Sequence, residues 1–236
     1  MSDYPMRINK YLAHQKYCTR READSLIESG KVFINGRKAV LGDKVVEDDA
    51  VEVRMKPRKF RYVAYHKPAG IITHSAQGDE EEEIADISGL EGLFPVGRLD
   101  KDSHGLIILT NDGRLTEALL NPEHEHEKEY EVKTLHDLPE DFQYKMEHGV
   151  DIGDYVTKPC TLTIRGPRAF SIVLTEGKKH QIRRMCGAFG QSAIELKRTR
   201  IMNVRLGKLA ANSFRNIEGA ELKEFLGALG LSDKQN

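Results

Sequence analysis

The stretch MRINKYLAHQKYCTRREADSLIESGKVFINGRK, residues 6–38, decides how the chain begins to fold. Ile8, Leu12 and Ala13 recur at helical spacing, which predicts a first short helix. Thr19 stands three residues ahead of Glu22, a capping box that predicts the start of a second helix, and Gly30 ends it. Val32, Phe33 and Ile34 then read as a short strand, Asn35-Gly36 as a turn, and Val45-Val46 and Val51–Val53 as further short strands. These elements make a compact unit over residues 6–54. Met55-Lys56-Pro57-Arg58-Lys59 follows, a basic stretch with a proline that reads as a linker over 55–60.

Beyond it the pattern changes. Strand-like runs at Tyr62–Tyr65, Leu106–Leu109, Tyr130–Lys133, Thr161–Ile164, Phe170–Leu174 and Ile194–Lys197 outnumber helical segments at Arg114–Leu120, Glu140–His148 and His180–Phe189. That mix predicts an α+β domain over 61–231 around a mixed, largely antiparallel sheet. Asp79–Glu83 is a run of acids that reads as an exposed loop, and Ser232–Asn236 as a frayed tail.

With 236 residues, 39% of them hydrophobic, and a net charge of −1, the chain can bury a core and is not disordered throughout. The opening MSDYPMRINKYL has no apolar core of a signal peptide, and no run approaches the ~20 apolar residues of a membrane span. A cytoplasmic protein is expected. Cys18, Cys160 and Cys186 are odd in number and far apart, which fits a reducing compartment and no disulfide framework. The near-zero net charge conceals a segregation. Residues 178–215 carry 10 basic and 1 acidic side chains, residues 1–60 carry 13 and 9, and residues 79–151 carry 6 and 21. A polyanion responds to such local patches, so a nucleic-acid partner is expected.

In the first unit Arg20, Arg21 and Asp24 share a helical turn, Lys10 and Lys16 lie upstream, and Lys31, Arg37 and Lys38 flank the strand and its turn. Short helices carrying Arg and Lys over a small sheet can grip the phosphates of structured RNA, although most basic helices are merely solvated. The string over residues 6–53 resembles the αL RNA-binding module named after small-subunit ribosomal protein S-four. R-x-N-K-Y-L, T-R-R-E-A-D, S-G-K-V-x-I-N-G and G-D-x-V with D-x-V-x-V carry the likeness. It implies RNA binding by Lys10, Arg20, Arg21, Lys31 and Arg37. Lys16-Tyr17-Cys18 departs from the module, whose middle residue there is often small.

Three islands carry the candidate chemistry of the second domain. Gly97-Arg98-Leu99-Asp100 precedes Gly105-Leu106 and the strand and turn Leu109–Gly113; Lys128-Glu129-Tyr130 lies on a strand; Gly177-Lys178-Lys179-His180-Gln181-Ile182-Arg183-Arg184 is a basic turn entering a helix. Taken singly, Asp100 reads as a turn residue and Tyr130 as strand packing. Their order and spacing, with Lys67-Pro68-Ala69-Gly70 ahead of them, resemble the RsuA-type ribosomal RNA pseudouridine synthases. Leu196–Val204 is similar to the RluF-like large-subunit subgroup of that family.

The resemblance implies that Asp100 attacks a flipped-out uridine, at the anomeric carbon in the preferred reading, and that the freed uracil turns and rejoins through carbon. It implies that Tyr130 stacks on the uracil and can assist proton removal from its ring carbon, and that Arg183 pairs with Asp100 and keeps it ionised in a poorly hydrated pocket. It also implies that Arg98 and Arg184 hold backbone phosphates or help displace the stacked base, with Lys178, Lys179 and His180 on the RNA beside them. An isomerisation within one nucleotide needs no cofactor and no metal, and the chain shows no G-x-G-x-x-G, P-loop or H-E-x-x-H.

Other residues read more plainly. Asp102 is assigned to the loop, His104 to the surface, His124 and His126 to the surface rather than to a metal, Cys186 to the core, and His180 to shaping its turn. The expected partner is ribosomal RNA, preferentially of the large subunit, and the expected state a monomer. The competing reading is a catalytically silent ribosome-assembly protein on the same scaffold, which would be free to lose Asp100.

Overall fold

The computed structural model describes residues 4–54, 59–73 and 89–232. The acidic run Asp79–Glu83, most of the linker and the end of the tail lie outside the described residues. The first unit holds β1 (Met6–Arg7), α1 (Ile8–His14), α2 (Arg20–Glu28), β2 (Val32–Ile34), β3 (Arg37–Lys38), β4 (Lys44–Val45) and β5 (Val51–Val53). Thr19 caps α2 as its spacing predicts: its side chain accepts from the Glu22 amide, and the Glu22 carboxylate accepts from the Thr19 amide at 2.8 Å. Two orphan donors of the first turn are thereby satisfied. Ile8, Leu12, Leu26, Ile27, Val32 and Val45 pack into one core, each worth roughly 1.5–3 kcal/mol of transfer free energy. Tyr17, the departure in the module, is half-buried against that core.

The second unit contains β6 (Tyr62–Lys67), β7 (Phe94–Val96), β8 (His104–Thr110), α3 (Arg114–Leu120), β9 (Lys128–Thr134), α4 (Phe142–Glu147), β10 (Thr161–Gly166), β11 (Ala169–Leu174), α5 (Gln181–Ala188), β12 (Ala193–Ile201), β13 (Val204–Arg205), β14 (Phe214–Asn216) and α6 (Gly219–Ala228). The sheet runs β10-β11-β9-β12-β8-β6-β14, with β13 beside β12 and β7 beside β8. Every pairing in it is antiparallel except β12 with β8. Strands alternate their faces, so β6 and β8 each pack two clusters. On one face Leu106 and Ile108 meet Leu115 and Leu119 of α3 and Phe225 and Leu226 of α6. On the other, Val63, Tyr65 and Ile107 form one cluster, while Val132, Ile172 and Leu196 pack with Phe142 of α4 and Ile182 and Met185 of α5 in a second.

The elements predicted from sequence are present but shorter than the strands the chain forms. β6 continues to Lys67 and β12 to Ile201, because pairing with neighbours extends them through polar residues. α4 begins at Phe142 rather than at Glu140, behind Pro139. α6 has no capping side chain and opens on Gly219 at φ 60, so no local signal announces it; burial of Phe225 and Leu226 makes it.

The two units touch. Lys16, at φ 59, donates its ammonium to the carbonyls of Gly230 (2.8 Å) and Leu229 (3.4 Å) at the C-terminal end of α6. A cation there satisfies carbonyls with no partner within the helix. The Thr19 methyl lies so close to Gly113 that a Cβ at Gly113 would come within 2.3 Å of it.

Candidate active site

Register across the sheet assembles the site. Lys67 on β6 pairs with Gly105 on β8, Gly105 with Arg198 on β12, Arg198 with Tyr130 on β9, and Tyr130 with Ile172 on β11. Residues paired in this way face the same side, so one lateral row crosses five strands, with Lys67, Gly105 and Arg198 between two apolar clusters and Tyr130 and Ile172 entering the second of them. Lys128 lies two residues before Tyr130 on the same face of β9. Gly105 keeps the middle of the row open: with φ +112, it lets β12 approach so closely that a Cβ there would lie 2.3 Å from the Arg198 carbonyl oxygen.

The row is cationic. Lys67 is fully buried and donates to the carbonyls of Ile71 (2.7 Å), Pro68 (3.0 Å) and Lys101 (3.4 Å). Burial pulls its pKa down to about 8, against the opposing influence of Asp100 and Asp102 and with a further push from Arg198. Lys128 donates to the His126 carbonyl at 3.0 Å and is also lowered to about 8, by burial first and Arg198 second. Arg198 is 3% exposed. Its Nε donates to the Leu106 carbonyl at 2.7 Å and its Nη1 reaches the Arg98 carbonyl at 3.4 Å, while Nη2 has no partner.

The loop bearing Asp100 closes over this row. Thr73 brackets Leu99, its hydroxyl donating to the Leu99 carbonyl at 2.8 Å and accepting from the Leu99 amide at 3.1 Å. Gly70 donates its amide to the Lys101 carbonyl at 2.8 Å. Thr73 therefore grips the Leu99 end of the Leu99–Lys101 segment, and the Lys-Pro-Ala-Gly turn grips the Lys101 end. The Asp100 carboxylate faces His180 Nε2 at 3.5 Å and is 37% exposed, so the poorly hydrated pocket expected around it is open on one side.

His180 sits in the left-handed region at φ 52, ahead of α5. Gln181 builds this turn: it accepts from the Lys178 amide at 2.9 Å and donates to the Glu176 carboxylate at 2.7 Å. Lys178, Lys179 and His180 are exposed around it, with the Lys178 ammonium over the Tyr155 ring at 4.3 Å.

Two expectations change. Arg183 does not pair with Asp100: its guanidinium donates to the Ala193 carbonyl at 2.6 Å and faces the Asp102 carbonyl and the Ser103 hydroxyl, both at 3.4 Å. It ties α5 to the loop after Asp100, and the group facing the carboxylate is His180 instead. His104 is half-buried rather than on the surface, because it stacks on His66 at 5.8 Å and faces Glu195 at 3.5 Å. Arg98 is exposed at the rim, whereas Arg184 is engaged with the Ile152 carbonyl and the Asp154 carboxylate.

Cys186 lies in the core as expected, its thiol pushed up to about 12 by burial. His124 and His126 both face the Ala118 carbonyl. In the first unit Arg20, Arg21, Lys31 and Arg37 are exposed and Lys10 is half-buried, with Arg37 paired to Asp43 at 2.9 Å. Sequence reasoning gave no role to Lys67, Lys128, Gln181 or Arg198; the available signal for Arg198 was its position two residues after an apolar strand residue, Leu196, on the same face.

Residues 61–188 match the model of the RNA pseudouridylate synthase family, and residues 6–51 match that of the S4 domain. The chain belongs to the RNA pseudouridylate synthase family. The synthase is 41% identical to the dual-specificity RNA pseudouridine synthase RluF of Salmonella typhi over 228 residues, 94% of this chain and 79% of the relative. It is 31% identical to ribosomal large subunit pseudouridine synthase B of Bacillus subtilis, covering 92% of this chain and 94% of that protein. A crystal structure of a pseudouridylate synthase aligns with TM-score 0.68 at 26% identity, over 95% of this chain and 99% of the other. An S4 domain ahead of the synthase domain is the arrangement of the RsuA-type branch.

Proposed function

We propose that this synthase converts a uridine of ribosomal RNA, in the large subunit, to pseudouridine through covalent attack by Asp100, acting as a cytoplasmic monomer without a cofactor. The observation that supports this most is the placing of Asp100. Its segment is gripped by the Lys67–Gly70 turn and Thr73, its carboxylate faces the start of α5, and it stands over a row containing Tyr130. In this reading the target uridine leaves its stack, its base lies on Tyr130, and a carboxylate oxygen of Asp100 attacks the sugar as the glycosidic bond breaks. Retaining the base removes the need for a second carboxylate to activate water, the usual demand of glycoside cleavage. Exposed Arg98, Lys178 and Lys179 hold backbone phosphates at the rim, and exposed Arg20, Arg21 and Lys31 hold phosphates at a distance from the chemistry. The name of the Bacillus subtilis relative supports the large subunit, and three cysteines, odd in number and far apart in the sequence, support a reducing compartment.

The test is to incubate the purified protein, without additions, with unmodified ribosomal RNA and to map pseudouridine by chemical labelling and primer extension. Asp100→Asn runs alongside. New pseudouridine at one or a few large-subunit positions, lost in the variant while RNA binding persists, is the expected result. Because RluF relatives are named dual-specificity enzymes, modification at more than one position is an outcome the mapping registers directly. Turnover by Asp100→Asn would overturn the nucleophile, and binding without modification, on assembling subunits too, would favour the silent assembly protein.

A further inference from the structure

We propose that Arg198 and Lys128 are catalytic groups that hold the uracil as an anion while it is detached from its sugar. The inference rests on the reaction proposed above. In that reaction an Asp100 oxygen bonds to C1′ as the C1′–N1 bond breaks, and the bonding pair stays on the uracil, spread over N1 and the two carbonyl oxygens. After the base turns, C5 bonds to C1′, the bond to Asp100 breaks and its carboxylate is restored. The C5 proton passes to water and water returns one to N1, so the sequence is an isomerisation with no net redox change. Its most demanding species is a ring anion that must neither escape nor be protonated early.

The sheet supplies what such an anion needs. Arg198, Lys67 and Lys128 gather on one face, and among the described residues none of the three has a carboxylate within ion-pairing distance. Cations buried without a counter-charge, as Lys67 and Arg198 are, are costly and persist where a ligand supplies the opposite charge. Arg198 goes further: it is 3% exposed, and its Nη2 is a buried donor without an acceptor. Arg198 and Tyr130 are direct cross-strand partners, so a base lying on the Tyr130 ring brings its carbonyl edge to that donor. Lys67 is saturated by three backbone carbonyls, so it contributes charge and loop geometry, whereas Lys128 has a single carbonyl partner and free donor capacity. A backbone phosphate is the rival ligand, but it belongs at the rim, where Arg98, Lys178 and Lys179 are exposed. A buried donor beside an aromatic stacking platform suits the base.

The test compares single-turnover loss of the target nucleoside in two RNA substrates, one with uridine and one with 5-fluorouridine at the modified position. Fluorine withdraws electrons and makes the departing uracil a more stable anion, so an enzyme deprived of its own anion support depends more on that help. Removing one preorganised donor of this kind costs on the order of 100-fold in rate. Arg198→Met and Lys128→Met are therefore expected to lose about 100-fold on uridine and about tenfold or less on 5-fluorouridine, with RNA affinity retained. Arg198→Lys should recover part of the loss. Equal losses on both substrates would overturn the proposal, and equal losses with weakened RNA binding would assign the row to phosphate. If Arg198→Met fails to fold, Lys128→Met, whose side chain is half-buried, decides the question alone. A wild-type protein inert on every RNA would instead remove the reaction itself.

Discussion

Replacing Gly105 by alanine probes the closest approach in the sheet. The new Cβ would lie 2.3 Å from the Arg198 carbonyl oxygen, 2.6 Å from its amide nitrogen and 3.0 Å from its carbonyl carbon. Carbon contacts settle near 3.5–4.0 Å, so β8 and β12 must part by about 1 Å. All three obstructing atoms are backbone, and no rotamer change relieves them. Overpacking of this kind costs about 1–3 kcal/mol, in addition to about 1–2 kcal/mol for placing a side chain at φ +112. Gly153 supplies the control, because it has φ +97 and nothing within 4 Å of its would-be Cβ. The conformational penalty is shared by Gly105→Ala and Gly153→Ala, so their difference isolates the steric part. At about 2–4 °C per kcal/mol for a chain of this size, Gly105→Ala should melt about 2–12 °C below Gly153→Ala in a calorimetric scan. It should also lose single-turnover activity, because Arg198 moves with its strand. Equal melting temperatures would refute the close approach.

Two further outcomes are expected. Replacing Arg20, Arg21 and Lys31 together by alanine should weaken RNA binding and reduce the slope of log K against log salt by about 2–3, as fewer counterions are released; an unchanged slope in filter-binding titrations would remove these residues from the RNA interface. Lys67 and Lys128 titrate near 8 in the folded protein against an ordinary 10.5, so above pH 8 the unfolded chain holds protons that the folded one has released. Each group's contribution to stability therefore rises with pH over that window, and the charge-burial cost is fully present below it. Lys128→Met removes one such cost, so its melting temperature relative to wild type should be most favourable near about pH 7 and decline towards about pH 9.5; a constant difference would contradict the depressed value.

Much of the fold is legible because its signals are local. The Thr19–Glu22 capping box, the Asn35-Gly36 turn and the apolar runs of β8 and β11 each need only a few neighbouring residues, and each forms where predicted. α6 escapes notice because it lacks a capping residue and contains Gly219 and Gly227; its helicity comes from burying Phe225 and Leu226. The site divides in the same way. Asp100, Tyr130 and the Lys178–Arg184 turn stand out as motifs, whereas Arg198 matters through register with Tyr130, and register belongs to pairs of strands. Arg183 shows the converse: a motif position identifies the residue, while its partners, Ala193 and Ser103, depend on where α5 lies against the loop.

The lateral row from Lys67 to Ile172 also constrains the order in which the protein comes into being. Its members belong to five strands, and the link between Arg198 and Leu106 spans 92 residues. Contacts of such separation form slowly, because the intervening chain must first be closed into a loop. β12 is the last of the five strands in the chain, and a one-residue slip in its pairing would turn Arg198 to the opposite face. Catalytic competence arrives with the final strand in register, which makes activity a stringent reporter of complete folding.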